Sequence, residues 1–229
     1  MSAERRHAGR VDPPYLHGDY RSTALRAPRR APLRTSYGPS ELTGPSGAAL
    51  LHARGDSADL TRQHPGEPLG ERIIVHGRVI DAGHRPLPDT LVEVWQANAA
   101  GRYAHDGDQH PAPLDPNFTG AGACLTDAEG HYRFVTIRPG AYPWKNHANA
   151  WRPAHIHFSL LGRSFSQRLI TQMYFPGDPL LAHDPIFKSI PSPADRERLV
   201  AVFDLSNTAE QWALAFRFDI TLGGREGKP

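Results

Sequence analysis

From Glu71 onward the chain is written in short β-branched and apolar runs separated by turn residues, and that texture restricts it to an all-β architecture. The runs fall at 73–80, 91–97, 123–126, 131–137, 155–161, 168–175 and 212–222. The turn 127–130 (Asp-Ala-Glu-Gly) joins two of them, and only 193–200 suggests a short helix. In the last run Trp212, Leu214, Phe216, Phe218, Ile220 and Leu222 alternate with smaller or polar residues, which predicts one long strand with these six on its core face. About seven strands at this spacing predict an antiparallel β-sandwich. A stretch of about twenty residues between Gly101 and Gly122 fits neither period, and a loop of that length inside a domain is either functional or a misread element.

Residues 1–70 differ in kind. They are rich in Pro, Arg, Gly and Ser, and the first 37 carry eight Arg against three acidic residues although the whole chain has a net charge of only +2. They lack the period to bury a core of their own. Tyr15, Tyr20, Leu33 and Tyr37 nevertheless favour an extended arm that orders against a partner. The division expected is therefore an arm, 1–70, and a β-sandwich domain, 71–229. Near-neutral charge gives no reason to expect nucleic acid, and no run approaches the roughly 20 apolar residues of a membrane span. Cys124 is the only cysteine, which excludes a disulfide framework and makes cytoplasm the expected compartment. It reads as a buried small residue.

Chemistry concentrates at Trp151-Arg-Pro-Ala-His-Ile-His-Phe158. Pro153 holds Arg152 out of the helical region, and in the strand that follows His155 and His157 share a face, about 7 Å apart at Cα. Two imidazoles so placed can share a metal ion. The other ligands must come from elsewhere. Asp106, Asp108 or Asp115 would complete a two-His, one-carboxylate ferrous site, whereas Tyr103 and Tyr142, as hard phenolate donors, would select ferric iron.

The runs Leu91-Val-Glu-Val-Trp-Gln-Ala-Asn-Ala-Ala-Gly-Arg-Tyr103, Ala112-Pro-Leu-Asp-Pro-Asn-Phe118, Cys124-Leu-Thr-Asp127, Ile137-Arg-Pro-Gly-Ala-Tyr-Pro-Trp144 and Trp151-Arg-Pro-Ala-His-Ile-His-Phe158, in this order, resemble the intradiol ring-cleavage dioxygenases. The likeness runs from about Tyr20 to Leu222 and is to the iron-bearing β chain of members built from two kinds of chain. It implies a non-haem Fe(III) held by Tyr103, Tyr142, His155 and His157. It further implies that Tyr142 and Arg152 act in catalysis, and that Tyr20, Trp144, Gln172 and Ile186 contact the substrate. The reaction it implies is cleavage of protocatechuate by O2 to 3-carboxy-cis,cis-muconate, with an iron-free α subunit completing the pocket. His110-Pro111 departs from the family pattern, where an aromatic and an apolar residue are expected. A noncatalytic sandwich that binds a ring through Trp95, Trp144 and Trp151 is the reading from a different class.

Overall fold

Strand β1 (Arg72–Asp81) is flanked on both edges, with Ile73, Ile74, Val75, Gly77 and Val79 buried and the rest of the strand half-buried. In the computed structural model, which describes residues 13–31, 33, 57–145, 150–161 and 168–222, one edge of β1 pairs antiparallel with β4 (His131–Ile137). The other edge pairs parallel with β10 (Leu214–Arg217) and then with β11 (Ile220–Leu222). The two-residue strand β9 (Val202–Phe203) closes this sheet beyond β10. The second sheet is wholly antiparallel in the order β3 (Ala121–Leu125), β2 (Leu91–Gln96), β7 (His155–Leu161), β8 (Arg168–Tyr174). A separate two-stranded ribbon joins β5 (Tyr142–Pro143) to β6 (Trp151–Arg152).

The inner faces meet in one core. Val75 and Phe134 of the first sheet and Val92, Ile156, Phe158 and Leu160 of the second are all 3 % exposed or less. Gln96 ties the two sheets at one end of the sandwich: its amide donates to Ile137 O (2.7 Å) and its Oε1 accepts from Thr136 Oγ1 (2.8 Å). An all-β sandwich was the expectation, and it is the fold found; the parallel neighbours of β1 are a feature that strand periodicity does not encode. Leu60 is fully buried in the same core, so part of the segment before residue 70 packs as domain.

The long final strand expected at 212–222 is divided. Trp212 lies in a turn and Leu214 lies past the edge of the core, at 41 % and 39 % exposure, while Ala213 and Ala215 on the opposite face are buried against Ile74 and Val135. The helix expected at 193–200 shortens to Pro193–Glu197, and two others are equally brief, at Ser22–Arg26 and Pro185–Lys188; in chain order these are α3, α1 and α2. Of the arm residues, Tyr15, Tyr20 and Leu33 are described and Tyr37 lies outside the described residues. Among the described residues no helix is long and apolar enough to cross a membrane.

Candidate active site

Strand β7 sends Ile156, Phe158 and Leu160 into the core, so strand alternation turns His155 and His157 to the outer face of the second sheet. The register then fixes their neighbours. His157 lies between Trp95 of β2 and Gln172 of β8, and His155 is opposite Tyr174. Trp95 stacks flat on His157, with ring centroids 4.8 Å apart.

Both tyrosines arrive from loops. Gly101, at φ +77°, lets the chain turn where a Cβ would strike the Ala141 carbonyl, bringing the 101–103 segment against the start of β5. The Asn98 side chain clamps the same turn by accepting from the N–H groups of Ala100 and Arg102. Tyr103 and Tyr142 meet edge to face, with centroids 5.3 Å apart. The β5–β6 ribbon pairs Tyr142 with Arg152 and so carries both to the histidines. Tyr142 Oη lies 3.5 Å from His155 Nε2, and the two Nε2 atoms of His155 and His157 are 3.2 Å apart.

This geometry points to a cation. The Nδ1 of His155 is 2.7 Å from the Pro153 carbonyl, which cannot donate, so Nδ1 carries the proton and Nε2 presents its lone pair. Burial, together with the charge of Arg152, pushes His157 down to about 3, and the same causes with His157 added hold His155 well below the usual imidazole range. Two neutral imidazoles therefore face one another. The Tyr103 hydroxyl is buried with no hydrogen-bond partner of normal geometry among the described residues. Its burial, then the adjacent Tyr142, raise its pKa, so without a cation it stays a phenol. A bound trivalent ion would reverse that balance, and two phenol oxygens with two imidazole nitrogens form a donor set that suits one.

The carboxylate alternative is not assembled. Among the described residues no three His, Cys, Asp or Glu side chains converge on a common point. Asp108 is instead committed to its own loop, accepting from the N–H groups of Tyr103 (2.8 Å) and His110 (2.8 Å), and Asp115 accepts from Leu69 and Asn117.

A cleft of about 830 Å³ opens beside these groups, walled by Trp95, Tyr103, His110, Tyr142, Trp144 and His157 among others. Trp144 packs under Arg152, whose guanidinium carbon is 5.4 Å from the indole, and against Tyr20 of the arm at 5.4 Å. The described arm therefore reaches the site of its own chain. Gln172 Oε1 accepts from Arg152 Nη2 at 2.6 Å. Ile186 sits half-buried in the first turn of α2. His110 lines the cleft and sets its ring edge against Trp151 at 6.3 Å. Sequence reasoning missed two residues, Tyr174 and Asp184. Both are buried and both touch Arg152.

Comparison with known proteins identifies the family of the chain. Residues 43–224 match the family model described as "Dioxygenase", and residues 5–35 match that of the "Protocatechuate 3,4-dioxygenase beta subunit N terminal". The chain is 58 % identical over 228 residues to the protocatechuate 3,4-dioxygenase beta chain of Burkholderia cepacia, across 95 % of this chain and 92 % of that one. It is 30 % identical to the alpha chain from Pseudomonas putida, across 81 % and 91 %. Among solved structures, catechol 1,2-dioxygenase from Acinetobacter sp. ADP1 superposes with a TM-score of 0.54 at 27 % identity, covering 76 % of this chain and 61 % of that one. With its sandwich and with matches that span nearly its whole length, the chain belongs to the intradiol ring-cleavage dioxygenase family.

Proposed function

We propose that this chain is the iron-bearing β subunit of an enzyme that cleaves protocatechuate between its two hydroxyls, adding O2 to give 3-carboxy-cis,cis-muconate. The observation that carries this reading is the convergence of Tyr103, Tyr142, His155 and His157 beside an aromatic-walled cleft. The family is one of non-haem iron enzymes, and in this chain those four residues would hold the metal as Fe(III). When bound, the ferric ion would supply Lewis acidity and an electron sink for the catechol ring.

The remaining chemistry falls to side chains. Tyr142, carried on the two-residue ribbon with its Oη 3.5 Å from His155 Nε2, would take a proton from a substrate hydroxyl at Oη once a bound metal had ionised it to the phenolate. Arg152 meets the negative charge that develops on the ring as oxygen adds. Burial works against the guanidinium's charge, but Tyr174 and Asp184 outweigh it and keep Arg152 protonated. Trp144 and Ile186 wall the ring, Gln172 fixes a polar edge, and Tyr20 reaches over from the arm toward the substrate carboxylate. Departure from the family pattern at His110-Pro111 bears on which ring substituents fit.

The arm, residues 1–70, is read as packing on an α subunit. Tyr15, Leu16, Leu25 and Leu33 support this, since all four stand 60 % or more exposed on the described part of the arm. Relatives named as alpha and beta chains of one enzyme support the same partner. The test of function is turnover of protocatechuate under ¹⁸O2: both labelled atoms should enter the two new carboxyl groups. A product cleaved outside the hydroxyls, or no oxygen uptake by the assembled protein, would overturn the proposal.

A further inference from the structure

Arg152 is held most heavily at one end. Its Nη2 lies 2.6 Å from Gln172 Oε1, 2.9 Å from Asp184 Oδ2 and 3.0 Å from Tyr174 Oη. The Tyr174 hydroxyl in turn sits 2.9 Å from Gln172 Oε1 and 3.1 Å from Asp184 Oδ2, to one of which it donates. The other nitrogens are differently placed. Nη1 faces His155 Nε2 at 3.2 Å, and Nε is buried with no hydrogen-bond partner among the described residues. Asp184 is completely buried and Arg152 nearly so. A carboxylate so placed is costly to keep unless its charge and lone pairs are met, and here Oδ2 meets Arg152 while Oδ1 accepts from the Ile186 N–H and caps α2. One side chain thus ties the guanidinium to the helix that bears Ile186.

Resting on the function read above, we propose that Asp184, assisted by Tyr174, is a positioning residue for Arg152. A guanidinium is a planar fork that pairs readily with any oxyanion in reach, and Tyr103 and Tyr142 become oxyanions if they bind a metal. Unanchored, Arg152 would turn onto them and be lost to the reacting ring. Held at Nη2 by Asp184, it keeps Nη1 on the side of His155, where the proposed metal site lies. The carboxylate also balances the cation, so that Arg152 adds little net repulsion toward a metal held by His155 and His157.

The test compares wild type, Asp184→Asn, Arg152→Ala and the double variant, each assembled with its α chain. Asparagine can still cap α2 through its amide oxygen, but its NH2 then replaces the oxygen that accepts from Arg152, so the charge and that hydrogen bond are removed together. Four quantities are read: iron per chain, the thermal midpoint, the spectral titration with protocatechuate under nitrogen, and the rate of the single turnover that follows mixing with O2. Asp184→Asn should hold iron and bind protocatechuate within about twofold of wild type, yet react with O2 about tenfold more slowly or worse, as misorientation of a charge-stabilising group predicts. In the Arg152→Ala background the same substitution should leave that rate within about twofold, and it should raise the thermal midpoint by removing a buried unpaired carboxylate. An Asp184→Asn enzyme that reacts at the wild-type rate, or an equal slowing with and without Arg152, would overturn the assignment. If Asp184→Asn does not fold, Asp184→Glu, which keeps the charge but shifts the oxygen, is judged by the same two comparisons. Wild type that neither holds iron nor responds to protocatechuate would instead overturn the proposed function.

Discussion

Two depressions of similar size sit on this molecule and differ in how their polar side chains are met. The cleft beside β7 encloses about 830 Å³, and a second depression on the outer face of the first sheet, lined by His76, Arg78, Asp127, His131, Asp204 and Asp219 among others, encloses about 930 Å³. In the second, the carboxylates are provided for by their own surroundings. Asp127 accepts from the N–H groups of Glu129 and His131, Asp219 from that of Arg78, and Asp204 from Ser206 and Asn207. The His131 N–H first of all holds Asp127 below the usual carboxylate range, and Ser206 and then Asn207 do the same for Asp204. Charge is welcome there and already met. In the cleft the Tyr103 phenol is pushed up and the His157 imidazole down, in each case first of all by burial, and both Tyr103 Oη and His110 Nδ1 are buried without a hydrogen-bond partner of normal geometry among the described residues. Unmet donor atoms, rather than volume, mark the place where something must bind.

That contrast can be broken most forcefully at its centre. His157→Ala removes one lone pair from the donor set, so the variant should lose most of its iron and with it ring cleavage, measured by metal content and oxygen uptake. Retention of full iron would show that His157 only stacks on Trp95. The next effect in size belongs to Arg152→Ala, which should lower kcat by about 10² while iron stays bound, as expected for a group that acts on developing charge. Activity within twofold of wild type would make Arg152 a purely structural cation.

A weaker but still measurable effect concerns assembly. The chain expressed without an α subunit should be poorly soluble or weakly active, and co-expression should restore activity and shift its elution to a larger species. A monodisperse, fully active lone chain would show that the arm closes its own pocket. The smallest effect lies in the second depression. Because the folded-state pKa of Asp204 is depressed, its stabilisation is complete above the ordinary carboxylate pKa and disappears as pH falls through the lower folded value. Asp204→Asn should therefore lower the thermal midpoint slightly at pH 7, with the gap to wild type closing under acid, and should leave iron and turnover untouched. A loss of turnover would mean that the two depressions are coupled.

What sequence alone could reveal follows the same physical division. His155 and His157 were legible because a strand has a fixed period, and the core face of β7 confirms which way they turn. Tyr103 and Tyr142 were legible only through resemblance to a family, since loops carry no period that says where they converge. Tyr174 and Asp184 stayed hidden for a related reason. Tyr174 reads as one more apolar strand residue until the register sets it opposite His155, and Asp184 reads as an ordinary helix cap although it also pairs with Arg152. At Trp212 and Leu214 the alternation failed, because the strand begins only at Leu214 and there the buried side chains are Ala213 and Ala215.

The most direct test of the central claim is the visible spectrum of the purified protein, recorded with its iron content and repeated on Tyr103→Phe and Tyr142→Phe. Two phenolates on a ferric ion predict about one iron per chain and an intense phenolate-to-metal absorption that weakens or shifts in each variant. A colourless wild-type protein, or a band that both substitutions leave unchanged, would contradict the assignment of these tyrosines as ligands.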